Sequence, residues 1–430
     1  MDLLKIKPVF VSYERGFFRS LPSRESLEKE VEKRYSKLKK EFPEVVFLKP
    51  SLVTSYRDLE VLREELTYST DAILVERLGG IAHKIMADIG LIGPPLIMVG
   101  GGVLNHDIVA YLRARGVEAH APIDENDLRK LFRRLAVRKK MRLTRVLVVS
   151  SKALPSFSAL SSAYNLDLMK LKLGVDYEWI SSEELLSQMT SVSDDKAREI
   201  VNKLASQASK IKVDEENLLR SIKLYIALKE LMTKYYCNAV TVDCAEPIYY
   251  EYRVTPCLAF TLLKDEKIPA SCEADLSALI AMAMLMYISE KPAFMGNLWL
   301  HSAENDLMRY SHDVPPTKIF GERVERYELH DFHNKGYGAT VYVEVPPKTD
   351  ITLARVNSYF TKILIIKGTI ESSLEGAGCR ETLEVNVRNA VELTKKISWY
   401  GHHFSAVLGD YTRELSEVAE LMGISVELHL

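Results

Sequence analysis

Two segments of this 430-residue chain end an apolar, β-branched run in carboxylates. AVTVDCAEPIYYEY, from Ala239 to Tyr252, breaks after Val242 into Asp243, Cys244, Ala245 and Glu246. IPASCEADLSAL sets Glu273 and Asp275 between a short apolar run and a long apolar helix pattern. A third segment, SWYGHHFSAVLGDYTRELSEVAELMGISV, places His402 and His403 after Trp399, Tyr400 and a glycine, ahead of a Gly-Asp turn. Two carboxylates and an imidazole form a donor set that suits a divalent ion such as Mn²⁺, Fe²⁺ or Co²⁺, with remaining positions open to water or substrate oxygens. Each residue also has a purely structural reading. Glu246 could complement the dipole of a helix in its first turn, and Asp275 could be the N-cap of the helix LSALIAMAMLMYI. Met282, Met284, Met286 and Met295 read as core packing.

The elements that must deliver these side chains can be traced along the chain. From Pro8 to about Pro122, the runs PVFVSY, EVVFLKP, AILVERL, PLIMVGGG and VEAHAP alternate with amphipathic segments, the pattern of an open, mostly parallel α/β sheet. Ligands of such sheets lie outside the carboxyl ends of the strands. The tails leaving those ends here are ERG at 14–16, RLGG at 77–80 and GGG at 100–102. The glycine run could admit an anion to a helix N-terminus, but it lacks the GxGxxG spacing and reads first as a tight turn. A second α/β layer starts at RVLVVSS (145–151) and includes a helix at about 214–235 and the strands NAVTVD and IPASCE. If those two strands are neighbours, as consecutive strands of a βαβ unit usually are, the acids meet at one sheet edge. After Lys291-Pro292 the chain turns to alternating strand patterns such as ATVYVEV and KILIIKGTIE. The expected organisation is two open-sheet α/β domains, 1–142 and 143–290, and a β-rich domain, 291–430.

Composition narrows the functional classes. A net charge of −2 gives no whole-molecule field to recruit nucleic acid or an anionic membrane. The basic cluster RKLFRRLAVRKKMRLTR, at 129–145, spaces Leu131, Phe132, Leu135, Val137 and Met141 as a helix with one apolar face. The longest apolar stretch falls short of the roughly 20 residues that span a bilayer. The opening MDLLKIKPVFVSYERG has no signal-peptide pattern, and five cysteines without a CxxC pair read as reduced thiols. A cytoplasmic location is the expectation.

The segment VTPCLAFTLLKDEKIPASCEADLSALIAMAMLMYISEKPAFMGNLWL resembles the L-fucose isomerase and L-arabinose isomerase superfamily, in particular its shorter fucose-isomerase-like branch. DITLARVN, IKGTIE, GCRETLEV and the closing HHFSAVLGDYTRELSEVAELMGI extend the likeness across about residues 235–430. It implies a divalent metal, most readily Mn²⁺, held by Glu246, Asp275 and His403, with Glu251 and Glu273 as fallback ligands. It also implies sugar contacts from His301, Asn305, Arg355 and His402, with a structural ion pair as the equal alternative for Arg355. One of the carboxylates Glu246 and Asp275 would move a proton between C2 and C1 of an open-chain sugar. SAENDLMRYSHDVPP departs from the family's pattern, with His312 one place off. The implied activity is aldose–ketose isomerisation of a free pentose or deoxyhexose through an enediolate, in a homotrimer or homohexamer. A non-catalytic sugar-binding protein, and a metal-dependent lyase or epimerase, are the rival readings.

Overall fold

Short β-branched runs build a first, wholly parallel sheet from β1 (Leu4–Ser12), β2 (Val45–Phe47), β3 (Ser51–Val53), β4 (Ala72–Gly79), β5 (Leu96–Val99) and β6 (Ala119–His120). The computed structural model describes residues 3–13, 22–66, 69–80, 82–151 and 154–430, and not the side chains of Glu246 and Pro247. Strand order is β2-β1-β4-β5-β6, with β3 on the same side of β1 as β2, nearer its carboxyl end. The break between β2 and β3 falls at Pro50, which has no N–H to give a ladder. Because helices cover both faces, the strands are continuous apolar runs; Val9, Ile73, Val75, Leu96 and Met98 lie in one buried core. The helix Tyr56–Glu65 opens with a capping box between Ser55 and Asp58. Gly100, Gly101 and Gly102 all have positive φ (88°, 68° and 97°), which explains three glycines in a tight strand-to-helix turn. The tail 14–16 lies outside the described residues.

The chain divides into two compact units, Met1–Lys139 and Lys140–Leu430. Leu131, Phe132, Leu135, Val137 and Met141 are the buried face of a helix, Glu125–Arg142. Several of its cations are paired: Arg129 with Glu44, Arg138 with Glu118, and Lys139 with Asp71. The cluster is therefore an ion-paired helix face.

The second unit holds β7 (Arg145–Val149), β8 (Asp176–Ile180), β9 (Lys210–Lys212), β10 (Ala239–Val242) and β11 (Ala270–Cys272). A parallel sheet forms in the order β11-β10-β7-β8. β10 and β11 are neighbours, with Val242 level with Cys272, so the two acid-bearing strand ends lie side by side. The remaining strands are β12 (Phe294–Ser302), β13 (Leu307–His312), β14 (Tyr327–His330), β15 (Thr340–Val343), β16 (Thr349–Val356), β17 (Lys362–Glu375), β18 (Glu381–Asn386), β19 (His403–Leu408) and β20 (Ser425–His429). β16-β19-β12-β13-β18-β17 close into a barrel through the pairing of β16 with β17, and β20 joins β17 outside the ring. β9, β14 and β15 form a small separate sheet. The helix Leu276–Ser289 is buried on every side from Leu276 to Met286 and contacts β11 as well as the barrel strands β12, β16 and β19. Its lack of a polar face follows from that position. The fold is thus mixed α/β, with two open parallel sheets and a β-rich region that includes the barrel.

Candidate active site

β11 ends at Cys272, and the next two residues, Glu273 (φ 60°) and Ala274 (φ 49°), both adopt the left-handed conformation. Consecutive non-glycine residues there are strained, and such strain gathers where side chains must be aimed. The turn leads to Asp275, whose Oδ1 accepts from Ala278 N at 3.0 Å and so caps the helix Leu276–Ser289. The N-cap reading of Asp275 therefore holds. Its other oxygen accepts from Arg355 Nη1 at 2.8 Å and lies 3.0 Å from His403 Nδ1.

Arg355, on β16, is completely buried, and its donors face protein atoms. Nε donates to the Tyr400 carbonyl at 2.6 Å, Nη1 also to the His403 carbonyl at 2.8 Å, and Nη2 to Ser161 Oγ at 3.2 Å. The loop before β19 approaches so closely that a Cβ on Gly401 (φ 112°) would lie 2.0 Å from Ser161 Oγ, which is why a glycine stands there. Burial would raise the Asp275 carboxyl, but the Arg355 charge and then His403 hold it well below the ordinary range. The result is an anion with both oxygens engaged, fixing the orientation of the His403 ring.

That orientation turns His403 Nε2 toward Glu273 Oε2, 3.6 Å away. Nε2 is buried and has no hydrogen-bond partner among the described residues. His312, at the end of β13, places Nε2 3.7 Å from Glu273 Oε1, and the His312 and His403 rings are 5.7 Å apart. Asp313 N donates to His312 Nδ1 at 2.9 Å, which fixes the second ring. Glu273, His312 and His403 thus each offer one donor atom, all within 4.8 Å of one another. Although burial opposes it, the nearby His312, His403 and His402 imidazoles lower the Glu273 carboxyl, so the cluster presents an anion between two rings.

Of the residues expected from sequence, the structure brings Asp275, His403 and Arg355 together, with Glu273 beside them. Glu246 lies in the π-helical turn Ala245–Tyr249 directly after β10, and its side chain lies outside the described residues. Glu251 is exposed in the loop that follows. His402 is exposed, its ring 3.9 Å from that of His403. His301 faces Glu384 at 3.2 Å, and the Asn305 carbonyl accepts from Asn386 in the β12–β13 turn. Asn297 is level with His403, so His301 lies roughly 13 Å further along β12 at the rise of an extended strand. His301 and Asn305 are therefore not gathered at the cluster. His312, one place off in the linear pattern, is the functional residue that pattern misses; the His-Asp pair closing a strand is the signal that marks it.

No family model matches the chain. The sulfoquinovose isomerase of Clostridium sp. (strain MSTE9) is 22% identical over 265 residues, which make up 60% of this chain and 59% of that protein. The chain is thus similar to an isomerase across about three-fifths of that relative's length.

Proposed function

We propose that this protein is a metal-assisted aldose–ketose isomerase acting on a free, unphosphorylated sugar. The observation that carries this reading is the buried, unpartnered Nε2 of His403, aimed with His312 at one carboxylate beside the carboxyl edge of a parallel sheet. Two imidazoles and a carboxylate suit Mn²⁺, Fe²⁺ or Co²⁺. Glu273, His312 and His403 would hold the ion, with Glu246 the fourth donor from the adjacent strand end. Asp275, expected from sequence to be a ligand, instead fixes His403 from the far side of the ring, as carboxylates do behind histidine ligands. The ion, when bound, supplies a Lewis acid that polarises a sugar carbonyl and stabilises enediolate charge.

With both oxygens of Asp275 engaged, Glu246 and Glu273 remain for the proton transfer between C2 and C1. Arg355 is the clamp that keeps Asp275 ionised, the structural ion pair rather than the sugar contact of the two readings open to it. The similarity to a sulfoquinovose isomerase supports the reaction class, and a pentose or deoxyhexose remains the proposed substrate size. The test is incubation of the Mn²⁺-loaded protein in deuterated water with aldopentoses, 6-deoxyhexoses and sulfoquinovose, followed by NMR after metal removal. Ketose with deuterium at the exchanged carbon is expected for at least one sugar. Neither ketose nor exchange from a protein that elemental analysis shows to be loaded would overturn the isomerase reading in favour of a binding protein. The ligand set is tested separately. Glu273→Gln, His312→Ala and His403→Ala should strip the ion, whereas Asp275→Asn should weaken it by about 10–100-fold without abolishing it.

A further inference from the structure

A second group of metal-type donors flanks the first. Asp313 follows His312 directly and is buried, at 1% side-chain exposure. Its Oδ1 accepts from Arg380 N at 2.8 Å, and its Oδ2 lies 2.6 Å from His333 Nε2. Cys379 Sγ lies 3.3 Å from the same nitrogen. The three donors come from the end of β13, the loop after β14 and the turn after β17, and they lie within 4.8 Å of one another.

The arrangement is held from outside. Arg380 Nη2 reaches Asp331 Oδ1 and Asn334 Oδ1, each at 2.6 Å, and Asn334 Nδ2 donates to the Ala377 carbonyl at 3.1 Å, tying the two loops together. The Phe332 ring stacks on His333 at 3.9 Å and 14°, setting the plane of the imidazole. His333 and Asn334 carry positive φ (50° and 55°), strain that these ties sustain. A third group, Glu328, His330 and Glu375, already has Lys210 and Lys212 on Glu328 at 2.7 and 3.1 Å and reads as an ion-pair network.

We propose that Asp313, His333 and Cys379 form a second metal site, selective for Zn²⁺ over Mn²⁺, that clasps the two loops beside the catalytic cluster. A thiolate is a soft donor that favours Zn²⁺, while the thiol-free set of Glu273, His312 and His403 favours the harder ions. Three protein ligands leave a fourth position for water, and the partly exposed His333 and Cys379 give a route in. Cys379 gives up its proton to solvent as the ion binds. Because the Asp313 amide holds His312 Nδ1, occupancy of the second site steadies a ligand of the first.

The probe is Co²⁺ added to the metal-free full-length protein, read by the near-ultraviolet sulfur-to-cobalt charge-transfer band. The first cluster contains no thiol, so the band reports the second site whatever the outcome of the isomerase assay. The band is expected in the wild-type protein and in His403→Ala, should be lost in Cys379→Ser and His333→Asn, and should bleach when one equivalent of Zn²⁺ is added. His333→Asn alters a partly exposed side chain and serves if Cys379→Ser does not fold. A wild-type protein without the band at saturating Co²⁺, or a band that persists in either variant, overturns the proposal and leaves an Asp313–His333 contact beside a free thiol.

Discussion

Arg355 carries a charge at a position with no exposure, a state that survives only because every neighbour answers it. Removing one partner of such a pair leaves the other uncompensated, so Arg355→Met should cost about 3–5 kcal/mol in urea unfolding of the metal-free protein. Asp275→Asn keeps a capping side chain yet leaves the guanidinium without its anion. The double variant should therefore cost less than the sum of the two single changes, and an additive result would show that the pair is not coupled. The sequence made Arg355 legible as a residue needing a polar partner. Whether that partner is a substrate or the protein depends on β16 meeting the capped turn after β11, a contact between segments some 80 positions apart. Glu273 and Asp275 posed the same ambiguity. Alternation along the turn could assign either to the site, and only two successive left-handed residues decide that Glu273 faces the imidazoles while Asp275 faces the helix and the guanidinium.

At the level of elements, strands that follow β-branched runs and helices with a clear apolar face were legible, because local pattern determines them. The barrel was legible only as β-rich, since its closure requires β16 to pair with both β17 and β19, and β19 with β12, a choice that rests on distant register. The helix Cys257–Asp265 holds a feature that pattern would not anticipate: Lys264 is fully buried, and its ammonium has no hydrogen-bond partner among the described residues. Burial lowers its pKa from 10.5 to about 8, against the raising effect of Cys272, Asp265 and Cys257. Below the folded value both states are protonated and the buried charge is a full penalty. Between about 8 and the unfolded value the unfolded chain binds more protons, so this group makes stability rise with pH. Lys264→Met should raise stability at pH 7 by about 1–3 kcal/mol and flatten that alkaline rise. Denaturant titrations at pH 7 and above pH 9 check both, and an unchanged slope would exclude Lys264 as its source.

For the molecule as a whole, we propose a closed homo-oligomer, symmetric closure being the common outcome for oligomeric chains. Leu160, Leu171 and Trp399 are 74%, 83% and 85% exposed, side chains that burial in an assembly would take out of water. Light scattering is expected to give a trimer or hexamer, and a monomer at working concentration would reject the assembly. The closed barrel bears on how such a protein can change over time. His403 stands on a strand paired on both sides within a ring, and Arg355 on the strand beside it, so neither can shift without moving their neighbours. The exposed β12–β13 turn, where Asn305 stands away from the cluster, carries no such obligation. Substitutions can therefore accumulate in a turn of that kind while the His403 imidazole stays where it is.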